Sequence, residues 1–433
     1  MLPSSAIIKR SPIIIKPDAS RTVIRPFGPG DPSRFAIADR PRALRIADRV
    51  LGLPSRAVQE QLAELMDSLS GRHRNVPATL DWRYAELKGI LAGQEVSAQQ
   101  AHLIAAYMLE EYSFEAAALF NPSMVPHWDQ EGLPKDAVRF VMSLRGIGEG
   151  HVSSVTFRTG TWSRKRGFAV DPVSPLSTTP KIRMMGDEAG DVIATIDCGG
   201  SEQLSETVLF PVLPSQSKGI EDMRLVRFTD DDGSTRYLGT YTAYNGVEVR
   251  QQLLETEDFS TFTMYRVAGE VADAKGLAIF PRRIRGRYYA LSRQDNENLW
   301  LMSSDSLCRW SDGHRLLAPE NAWEFVQLGN CGSPHEIEEG WLVLTHGVGT
   351  VRNYAMGACL LDRDDPSRVL ARTTRPLLEP SPEDRDGYVP NVVYSCGAMV
   401  CGRTLVLPYG VADNFTTFAT LDVDTLIASM DPV

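Results

Sequence analysis

The sequence predicts a mainly β protein: a five-bladed β-propeller over residues 119–433, preceded by an extended arm and a helical segment over residues 1–118. Two observations lead to this fold class. Apolar residues recur at helical spacing before about residue 118, whereas short β-rich segments with turn residues follow it. The β-rich part also repeats a pair of strands five times. The chain has 433 residues, 43% of them hydrophobic and 23% charged, which is the composition of an ordinary globular protein.

The N-terminal part combines an arm with predicted helices. The arm is the Pro- and Gly-rich stretch over residues 17–30. The predicted helices, each with apolar residues at three- and four-residue spacing, lie at residues 55–69, 79–91 and 101–112. Ser97 and Gln100 match a capping box in front of the third helix. Because arms of this kind often pack on a neighbouring subunit, we expect a homo-oligomer built partly through residues 1–118.

The repeat consists of two strands joined by a polar turn. Its five copies lie at residues 119–146, 219–244, 275–295, 332–348 and 389–413, with their first polar residues at Asn121, Asp222, Lys275, Ser333 and Asn391. The last four copies are about 53–58 residues apart, and the first step is about 100 residues because outer strands and a long loop follow copy one. The sheets of a propeller bury their faces against their neighbours, which fits this period. A β-sandwich is the alternative, but it predicts shorter spacing and no fivefold pattern.

Polar side chains stand in strands that are otherwise apolar. They are Asn121, Arg145, Glu221, Asp222, Tyr244, Lys275, Arg293, His335, His346, Asn391 and Asp413. Any single member could be a strand-end residue that the backbone satisfies. Because the innermost strands of a propeller line one channel, however, charged groups in all five copies predict one shared site. Carboxylates beside Arg, Lys and His side chains suit a sugar substrate next to an anion.

Five motifs resemble glycoside hydrolase family 130, the β-mannoside phosphorylases and related β-mannosidases. In order along residues 121–426, they are GIEDMR, KGLAIFP, EEGWLVLTHGV, VPNVVYSCGA and YGVAD. The five-bladed β-propeller of that family agrees with the repeat count. The resemblance implies an enzyme that cleaves β-linked mannosides by phosphorolysis with inversion and releases α-mannose 1-phosphate. It implies inorganic phosphate as co-substrate and no cofactor.

The resemblance also implies roles for individual residues. Asp222, in the family's Glu-Asp-x-Arg motif, is the expected general acid, and its proton is expected to reach the glycosidic oxygen through the 3-hydroxyl of the mannosyl unit. The expected substrate-binding residues are Asn121, Arg145 and Asp413, joined by Glu221, Tyr244, Arg293, His335 and Asn391. The expected phosphate-binding residues are Asn245, Arg250, Lys275, His346 and Tyr354.

The chemistry of a general acid gives a separate expectation for Asp222. A proton donor must keep its proton near neutral pH, and the neighbouring carboxylate of Glu221 is expected to raise the pKa of Asp222, whereas Arg224 opposes that change. Phosphate arrives ionised, so it needs cations rather than a general base, and the cationic candidates favour a phosphorylase. Met223 replaces the family's usual Pro and is expected to alter packing rather than chemistry.

Two alternatives stay open. An inverting β-mannosidase of the same family needs a second carboxylate, about 6.5–9.5 Å from the acid, to activate water. The candidates for that base are Glu336, Glu149 and Glu338. His335 and Glu336 stand where many phosphorylases carry apolar or Pro residues, which favours this alternative. A non-catalytic carbohydrate-binding propeller is the alternative of another class, and it predicts an apolar or neutral channel.

Composition and spacing argue against other functions. With 45 basic and 55 acidic residues the net charge is −10, which disfavours nucleic-acid and membrane partners. The six cysteines and seven histidines show no metal-ligand spacing, and we expect no metal. No apolar run has the length of a signal peptide core or a spanning helix, so we expect a soluble, cytoplasmic protein. The glycines at 146, 148 and 150 predict a turn rather than a phosphate loop, and core packing is the expected role of Trp128, Trp162 and Trp300.

Overall fold

The computed structural model describes residues 8–31, 33, 36, 40–91, 95–186, 190–383 and 385–433. The fold is mainly β, and its α-helices precede the first long strand except for a short one near the C-terminus. The α-helices are α1 (Arg42–Leu51), α2 (Ser55–Ser70), α3 (Val76–Leu87), α4 (Ala98–Ala106) and α5 (Val423–Ala428). No helix of the described residues is both long and apolar enough to cross a bilayer.

The three predicted helices are confirmed, but α3 covers Val76–Leu87 rather than residues 79–91, and α4 covers Ala98–Ala106 rather than residues 101–112. α2 begins at Ser55, and α4 carries the predicted capping box, in which the Ser97 hydroxyl accepts from the Gln100 amide while the Gln100 side chain binds the Ser97 amide. α4 ends at Ala106, well before the end of the apolar run. The remaining residues form β3 (Leu109–Ser113), which pairs antiparallel with β2 (Thr22–Pro26) of the predicted arm. Burial of Tyr112 and Phe114 in a small core explains why tertiary contacts prevail over the helical pattern here.

The β-rich part contains five groups of strands, which we number in chain order. Group 1 comprises β4 (Ala118–Pro126), β5 (Ala137–Ile147), β6 (Ser153–Ser163) and β7 (Gly167–Val170), and the two-residue β10 (Val208–Leu209) pairs with β6. Group 2 comprises β8 (Lys181–Met184), β9 (Val192–Asp197), β11 (Gly219–Thr229), β12 (Thr235–Tyr244), β13 (Val249–Thr256) and β14 (Thr261–Arg266), in the order β11-β12-β13-β14-β9-β8. Its pairs are antiparallel, and one parallel bridge, Gly219 to Ser153, joins the two groups.

The other three groups are separate antiparallel sheets. Group 3 comprises β16 (Lys275–Ile279), β17 (Tyr288–Arg293), β18 (Leu299–Ser304) and β20 (Asp312–Leu317), with β15 (Ala268–Gly269) and β19 (Arg309–Trp310) paired beside it. Group 4 comprises β21 (Gln327–Asn330), β22 (His335–Ile337), β23 (Gly340–Val348), β24 (Tyr354–Leu361), β25 (Val369–Arg372) and β30 (Asp431–Pro432). Group 5 comprises β26 (Val393–Tyr394), β27 (Met399–Cys401), β28 (Thr404–Val411), β29 (Phe415–Asp422) and β1 (Ile8–Ile15).

The N-terminal strand completes the C-terminal sheet. β1 pairs antiparallel with β29, from Ile8 opposite Leu421 to Ile15 opposite Thr416. These residues were expected to belong with the arm, but their backbone hydrogen bonds go to group 5. The edge of β29 is thereby covered within the same chain.

Each copy of the repeat has a residue with positive φ at its anchor or directly next to it. The residues with positive φ are Asn121 (48°), Asp222 (52°), Gly276 (83°), Gly332 (90°) and Asn391 (61°). In groups 1 to 3 the register of the first strand pair shifts at this point. A bulge of this kind bends a strand and re-aims its side chains, and Asn, Asp and Gly are the residues that tolerate the left-handed conformation best. The recurrence seen in the sequence therefore corresponds to a recurring left-handed residue, which lies in a bulge in groups 1 to 3.

Five apolar clusters connect the groups. One cluster joins residues of groups 1 and 2, a second joins groups 2 and 3, a third groups 3 and 4, a fourth groups 4 and 5, and a fifth joins group 5 back to group 1. The last contact is made by Val406 and Phe418 of group 5 with Phe140 and Met142 of group 1. Each sheet thus buries both of its faces against its neighbours.

Buried ion pairs attach the helical segment to the strands. Arg74, just before α3, binds both carboxylate oxygens of Glu206 at 3.0 and 2.9 Å. Glu115 is fully buried between Arg21 and Arg158, each at 2.9 Å. Because an uncompensated buried charge is costly, these pairs fix the position of residues 21–74 relative to group 1.

Candidate functional site

A cavity of about 210 Å³, called here the site cavity, lies where the first strands of the five groups meet. Its lining residues are Asn121, Arg145, Asp222, Arg224, Thr242, Lys275, Arg293, His346, Arg352, Tyr354, Val389, Val392, Tyr394 and Asp413. Most of them are polar or charged, and they come from all five groups of strands. The structure therefore brings together residues far apart in the sequence.

Asp222 occupies the bulge of β11. Its Oδ1 accepts a hydrogen bond from Asn121 Nδ2 at 2.7 Å and one from Arg145 Nη1 at 3.1 Å. Arg224 follows on the same strand, where its Nη1 donates to the Asp222 carbonyl (2.9 Å) and its Nη2 to the Tyr394 hydroxyl (2.8 Å). Two bulged strands, β4 and β11, thus present their left-handed residues to each other, and the carboxylate lies among cations.

The prediction that Glu221 raises the pKa of Asp222 is wrong. Glu221 binds Arg145 Nη2 at 2.7 Å and lies 3.5 Å from Lys275 Nζ, so its charge is compensated by cations. Burial raises the pKa of Asp222, but the nearby cations Arg145, Arg224 and Lys275, with the Asn121 hydrogen bond, outweigh it and lower this pKa to about 2.

Asp413 is the second carboxylate of the site cavity, and its environment raises its pKa, whereas that of Asp222 is lowered. The residue lies between β28 and β29 with φ 47°, directly after Ala412 with φ 50°. Burial and the negative charge of Asp222 raise the pKa of Asp413 to about 7, against the opposing effect of Arg145 and Arg352. One carboxylate of the pair is therefore ionised at neutral pH while the other exchanges a proton there.

Cations outnumber carboxylates in this part of the molecule. Five cations line the site cavity: Arg145, Arg224, Lys275, Arg293 and Arg352. The lining carboxylates Asp222 and Asp413, together with the adjoining Glu221, leave an excess of at least two positive charges. The Nε atoms of three of these arginines (Arg145, Arg224 and Arg293) are buried and have no hydrogen-bond partner among the described residues. Such a cluster suits a doubly charged anion.

Arg293 and His346 form a contact within this cluster. His346 is buried, its Nδ1 donates to the Asn330 carbonyl (3.2 Å), and its Nε2 is 3.3 Å from Arg293 Nη1 and 2.9 Å from Gln327 Nε2. Burial and the charges of Arg293 and Arg224 hold the pKa of His346 well below its usual range. The neutral ring therefore accepts from Arg293 and orients its guanidinium, and no carboxylate of the described residues forms an ion pair with Arg293.

Arg352 is a lining residue that the sequence analysis missed. It ends a strained loop after β23, in which Val351 and Arg352 have φ values of 53° and 52°, and its Nη2 is 3.5 Å from the Tyr354 hydroxyl. The loop after β5 has a similar conformation, with positive φ at Gly150 and His151. The two Gly-rich stretches before these loops were a signal for a strained turn, but not for the side chain that it carries.

Most predicted site residues meet in the site cavity. Those that line it are Asn121, Arg145, Asp222, Lys275, Arg293, His346, Tyr354 and Asp413. Glu221 adjoins it through Arg145 and Lys275. Asn391 contributes backbone, since its carbonyl accepts from the Tyr354 amide at 2.9 Å. Met223 is buried in the core between groups 1 and 2.

Three predicted residues are engaged in the turn between β12 and β13 instead. The Tyr244 hydroxyl donates to the Gly246 carbonyl, and Asn245 Oδ1 accepts from the amides of Val247 and Glu248. Arg250 forms ion pairs with Glu248 and Asp273. Their hydrogen-bonding groups stabilise the turn and its neighbouring loop, and none of the three is among the residues that line the site cavity.

His335 and Glu336 line a different space, the second cavity, of about 250 Å³. It is formed by later segments of the same strands, including Met124–Pro126 of β4 and Leu225–Arg227 of β11. Glu336 binds Arg282 through both carboxylate oxygens at 2.6 and 2.8 Å, and these hydrogen bonds lower its pKa. Burial lowers the pKa of His335 to about 4. The proposed hydrolytic base Glu336 is therefore outside the site cavity.

The remaining candidates also lie elsewhere. Glu149 and Glu338 are exposed loop residues that do not line the site cavity. Trp162 and Trp300 pack against apolar cores, as expected. The expectation of core packing is wrong for Trp128, which is 43% exposed and stacks on His127 with ring centroids 3.8 Å apart. Among the described residues, no group of three or more His, Cys, Asp or Glu side chains could hold a metal ion.

Comparisons with known proteins give a consistent result. The family model for glycoside hydrolase family 130, described as beta-1,4-mannooligosaccharide phosphorylase, matches residues 198–431. The chain is 34% identical over 230 residues to beta-1,2-mannobiose phosphorylase of Listeria innocua, which is 52% of this chain and 63% of that protein. It is 32% identical over 225 residues to 1,2-beta-oligomannan phosphorylase of a Thermoanaerobacter species, covering 51% of this chain and 74% of that protein. The chain thus spans less than two thirds of the Listeria relative.

A solved structure matches a larger part of the chain than the family model does. The complex of the Listeria innocua beta-1,2-mannobiose phosphorylase with beta-1,2-mannobiose superposes with a TM-score of 0.52 and 26% identity. This superposition covers 73% of the present chain and 92% of that one.

Proposed function

The chain belongs to glycoside hydrolase family 130, and from this premise we propose that it cleaves β-linked mannosides by inverting phosphorolysis, releasing α-mannose 1-phosphate. The observation that carries the proposal is the site cavity, in which one buried carboxylate pair adjoins a cationic cluster with an excess of at least two charges. A hydrolase that binds only sugar and water would keep such a cluster at a high desolvation cost.

Asp222 is the proposed proton donor. The glycosidic C1–O bond breaks, the leaving oxygen receives the Asp222 proton through the 3-hydroxyl of the mannosyl unit, and a phosphate oxygen forms the new C1–O bond on the opposite face. Asn121, Arg145 and Asp413 surround Asp222 and are the proposed contacts of that mannosyl unit. A neutral Asp413 could donate a hydrogen bond to a sugar hydroxyl as well as accept one.

The proposed phosphate site is formed by three cations and one hydroxyl that line the site cavity. Arg224, Lys275 and Arg293 supply charge, and Tyr354 supplies a hydroxyl. His346 is proposed to act by orienting Arg293, because its Nε2 already accepts from that guanidinium. Asn245 and Arg250 are left out of the proposal, since their polar groups are bound within the turn.

We propose a five-bladed β-propeller for the β-rich part. Five strand groups, five recurring residues with positive φ and five apolar clusters that connect group 5 back to group 1 support a closed ring. In this arrangement β1 is the outermost strand of the last blade, so the proposed catalytic unit comprises residues 119–433 together with β1. The site cavity and the second cavity are then two parts of one central channel.

The test is an assay of products with and without phosphate. The protein is incubated with β-1,2-mannobiose or β-1,4-mannobiose, and α-mannose 1-phosphate and free mannose are measured. We expect phosphate-dependent formation of α-mannose 1-phosphate from at least one of the two. Equal release of mannose without phosphate would establish the β-mannosidase alternative, and Asp413 would then be the carboxylate to test as its base.

A further inference from the structure

The surroundings of Asp222 oppose the protonated state that a general acid needs. Its Oδ1 is bound by Asn121 and Arg145, and Arg224 and Lys275 line the same space. All of these groups stabilise the carboxylate anion, which is reflected in its pKa of about 2. A residue that donates a proton must first acquire one, so a further group has to change this balance.

A bound anion would shift the balance between the ionised and protonated forms of Asp222, because the cations around this residue are incompletely compensated. The Nε atoms of Arg145, Arg224 and Arg293 are buried without partners among the described residues, and Arg293 contacts the neutral ring of His346 instead of a carboxylate. A doubly charged anion held by these groups adds negative charge next to Asp222 and draws the cations toward itself. Both effects favour protonation of the carboxylate.

We propose that binding of phosphate among Arg224, Lys275 and Arg293 drives the uptake of one proton from solvent onto the Asp222 carboxylate, so that the nucleophile loads the acid. The inference rests on the proposed function and adds an order of events to it. The step converts a carboxylate and a proton into a carboxylic acid, with no oxidation or reduction. Without phosphate the acid stays ionised, and attack by water receives no assistance from a proton donor.

None of the other groups that face Asp222 supplies a negative charge equivalent to that of a bound anion. They are Asn121 of β4, Arg145 of β5, Glu221 and Arg224 of β11, Lys275 of β16, Arg293 of β17, His346 of β23, Tyr394 of β26, Cys396 and Asp413. Glu221 lies between Arg145 and Lys275, and His346 is neutral. Among these groups Asp413 is the one that competes with Asp222 for a proton. Because its pKa is about 7, Asp413 is already protonated well below pH 7, and proton uptake measured there can be assigned to Asp222.

The test measures protons rather than turnover. Sulfate, a dianion that does not itself titrate near neutral pH, is bound to the full chain by isothermal titration calorimetry at about pH 5.5 in buffers of different ionisation enthalpy. We expect uptake of about 0.5–1 proton per sulfate, and sulfate binding that weakens as the pH rises. Asp222→Asn should bind sulfate without proton uptake, whereas Asp413→Asn and the matched control Glu336→Gln should retain it.

The outcomes separate this inference from the proposed function. Sulfate binding without proton uptake, or uptake that persists in Asp222→Asn, overturns the inference even if phosphorolysis is observed. Absence of any sulfate binding overturns it too. Proton uptake in a protein that releases mannose without phosphate would support the coupling while the proposed phosphorolysis fails.

Discussion

The site cavity and the second cavity are built on the same strands and differ in how their charges are satisfied. On β11 the bulge places Asp222 and Arg224 in the site cavity, and the regular ladder that follows places Leu225–Arg227 in the second one. In the second cavity Glu336 is bound on both oxygens by Arg282. In the site cavity three arginines keep buried Nε atoms without partners. Charge that is left uncompensated at a strained bulge marks function, and charge that is paired marks structure.

The largest difference between the two cavities is expected when one carboxylate is removed from each of them. Asp222→Asn removes the proposed proton donor while keeping a side chain of the same size, so we expect the kcat for mannobiose phosphorolysis to fall about 10²–10⁴-fold. Glu336→Gln is the matched control, and its kcat should stay within about twofold of the unchanged protein. Steady-state assays at saturating phosphate measure both. Loss of activity in Glu336→Gln with retained activity in Asp222→Asn would reverse the roles of the two cavities.

Replacing one arginine of the site cavity, and as its control the arginine that binds Glu336, gives the next largest effect. Arg293→Met deletes a cation that forms no ion pair with a described carboxylate, and we expect the KM for phosphate to rise about 10–100-fold with a smaller change for the mannoside. Arg282→Met deletes the partner of Glu336 and should leave both KM values nearly unchanged. Initial rates over a matrix of the two substrates separate these effects. An equal rise in both KM values for Arg293→Met would contradict its assignment to the phosphate.

Much of the site was predictable, because the residues that tolerate a left-handed bulge are also the ones that stand out in apolar strands. Asn121, Asp222 and Asn391 are both anchors of the repeat and residues with positive φ. Arg352 was not predictable in this way, because its side chain reaches the site cavity from a strained loop rather than from a strand. Arg250 was assigned wrongly to that cavity, because its ion pair with Asp273 joins residues whose proximity the sequence does not reveal.

The position of a side chain along its strand was the other property that the sequence did not predict. His335 lines the second cavity, and so does Ser333, the anchor of its copy of the repeat. The sequence marks His335 as a polar residue in an apolar strand, but a strand advances about 3.3 Å per residue, so different parts of it reach different cavities. The sign of the pKa change at Asp222 was missed for a related reason. Glu221 is adjacent in sequence, yet its carboxylate binds Arg145 and lies near Lys275, and the cations on β5, β11 and β16 lower the pKa of Asp222.

A smaller effect concerns stability, because a functional carboxylate with a raised pKa destabilises the fold. The unfolded Asp413 has an ordinary pKa near 4 and the folded one about 7, so the folded state binds the proton more tightly. Stability due to this group is therefore highest at low pH, falls between about pH 4 and 7, and stays constant above. We expect Asp413→Asn to raise the free energy of unfolding by about 4 kcal/mol at about pH 8 and little at about pH 4. Urea unfolding at both pH values measures this, and equal effects at both would contradict it.

The smallest expected effect tests whether the bulge itself matters to the site. Gly276, in the bulge of β16, and Gly286, in the turn between β16 and β17, have φ values of 83° and 77°, so alanine at either position costs about 1 kcal/mol of stability. A Cβ at Gly286 would meet no atom within 4 Å, whereas one at Gly276 would lie 3.3 Å from Asn330 Oδ1. The backbone carbonyl of the same Asn330 accepts from His346, which orients Arg293, so a shift of Asn330 in Gly276→Ala should also raise the KM for phosphate about threefold. Thermal unfolding and phosphate kinetics of both variants measure the two effects. If Gly286→Ala raised this KM equally, the change would reflect general loss of stability, and the bulge would have no separate role in holding the cationic cluster.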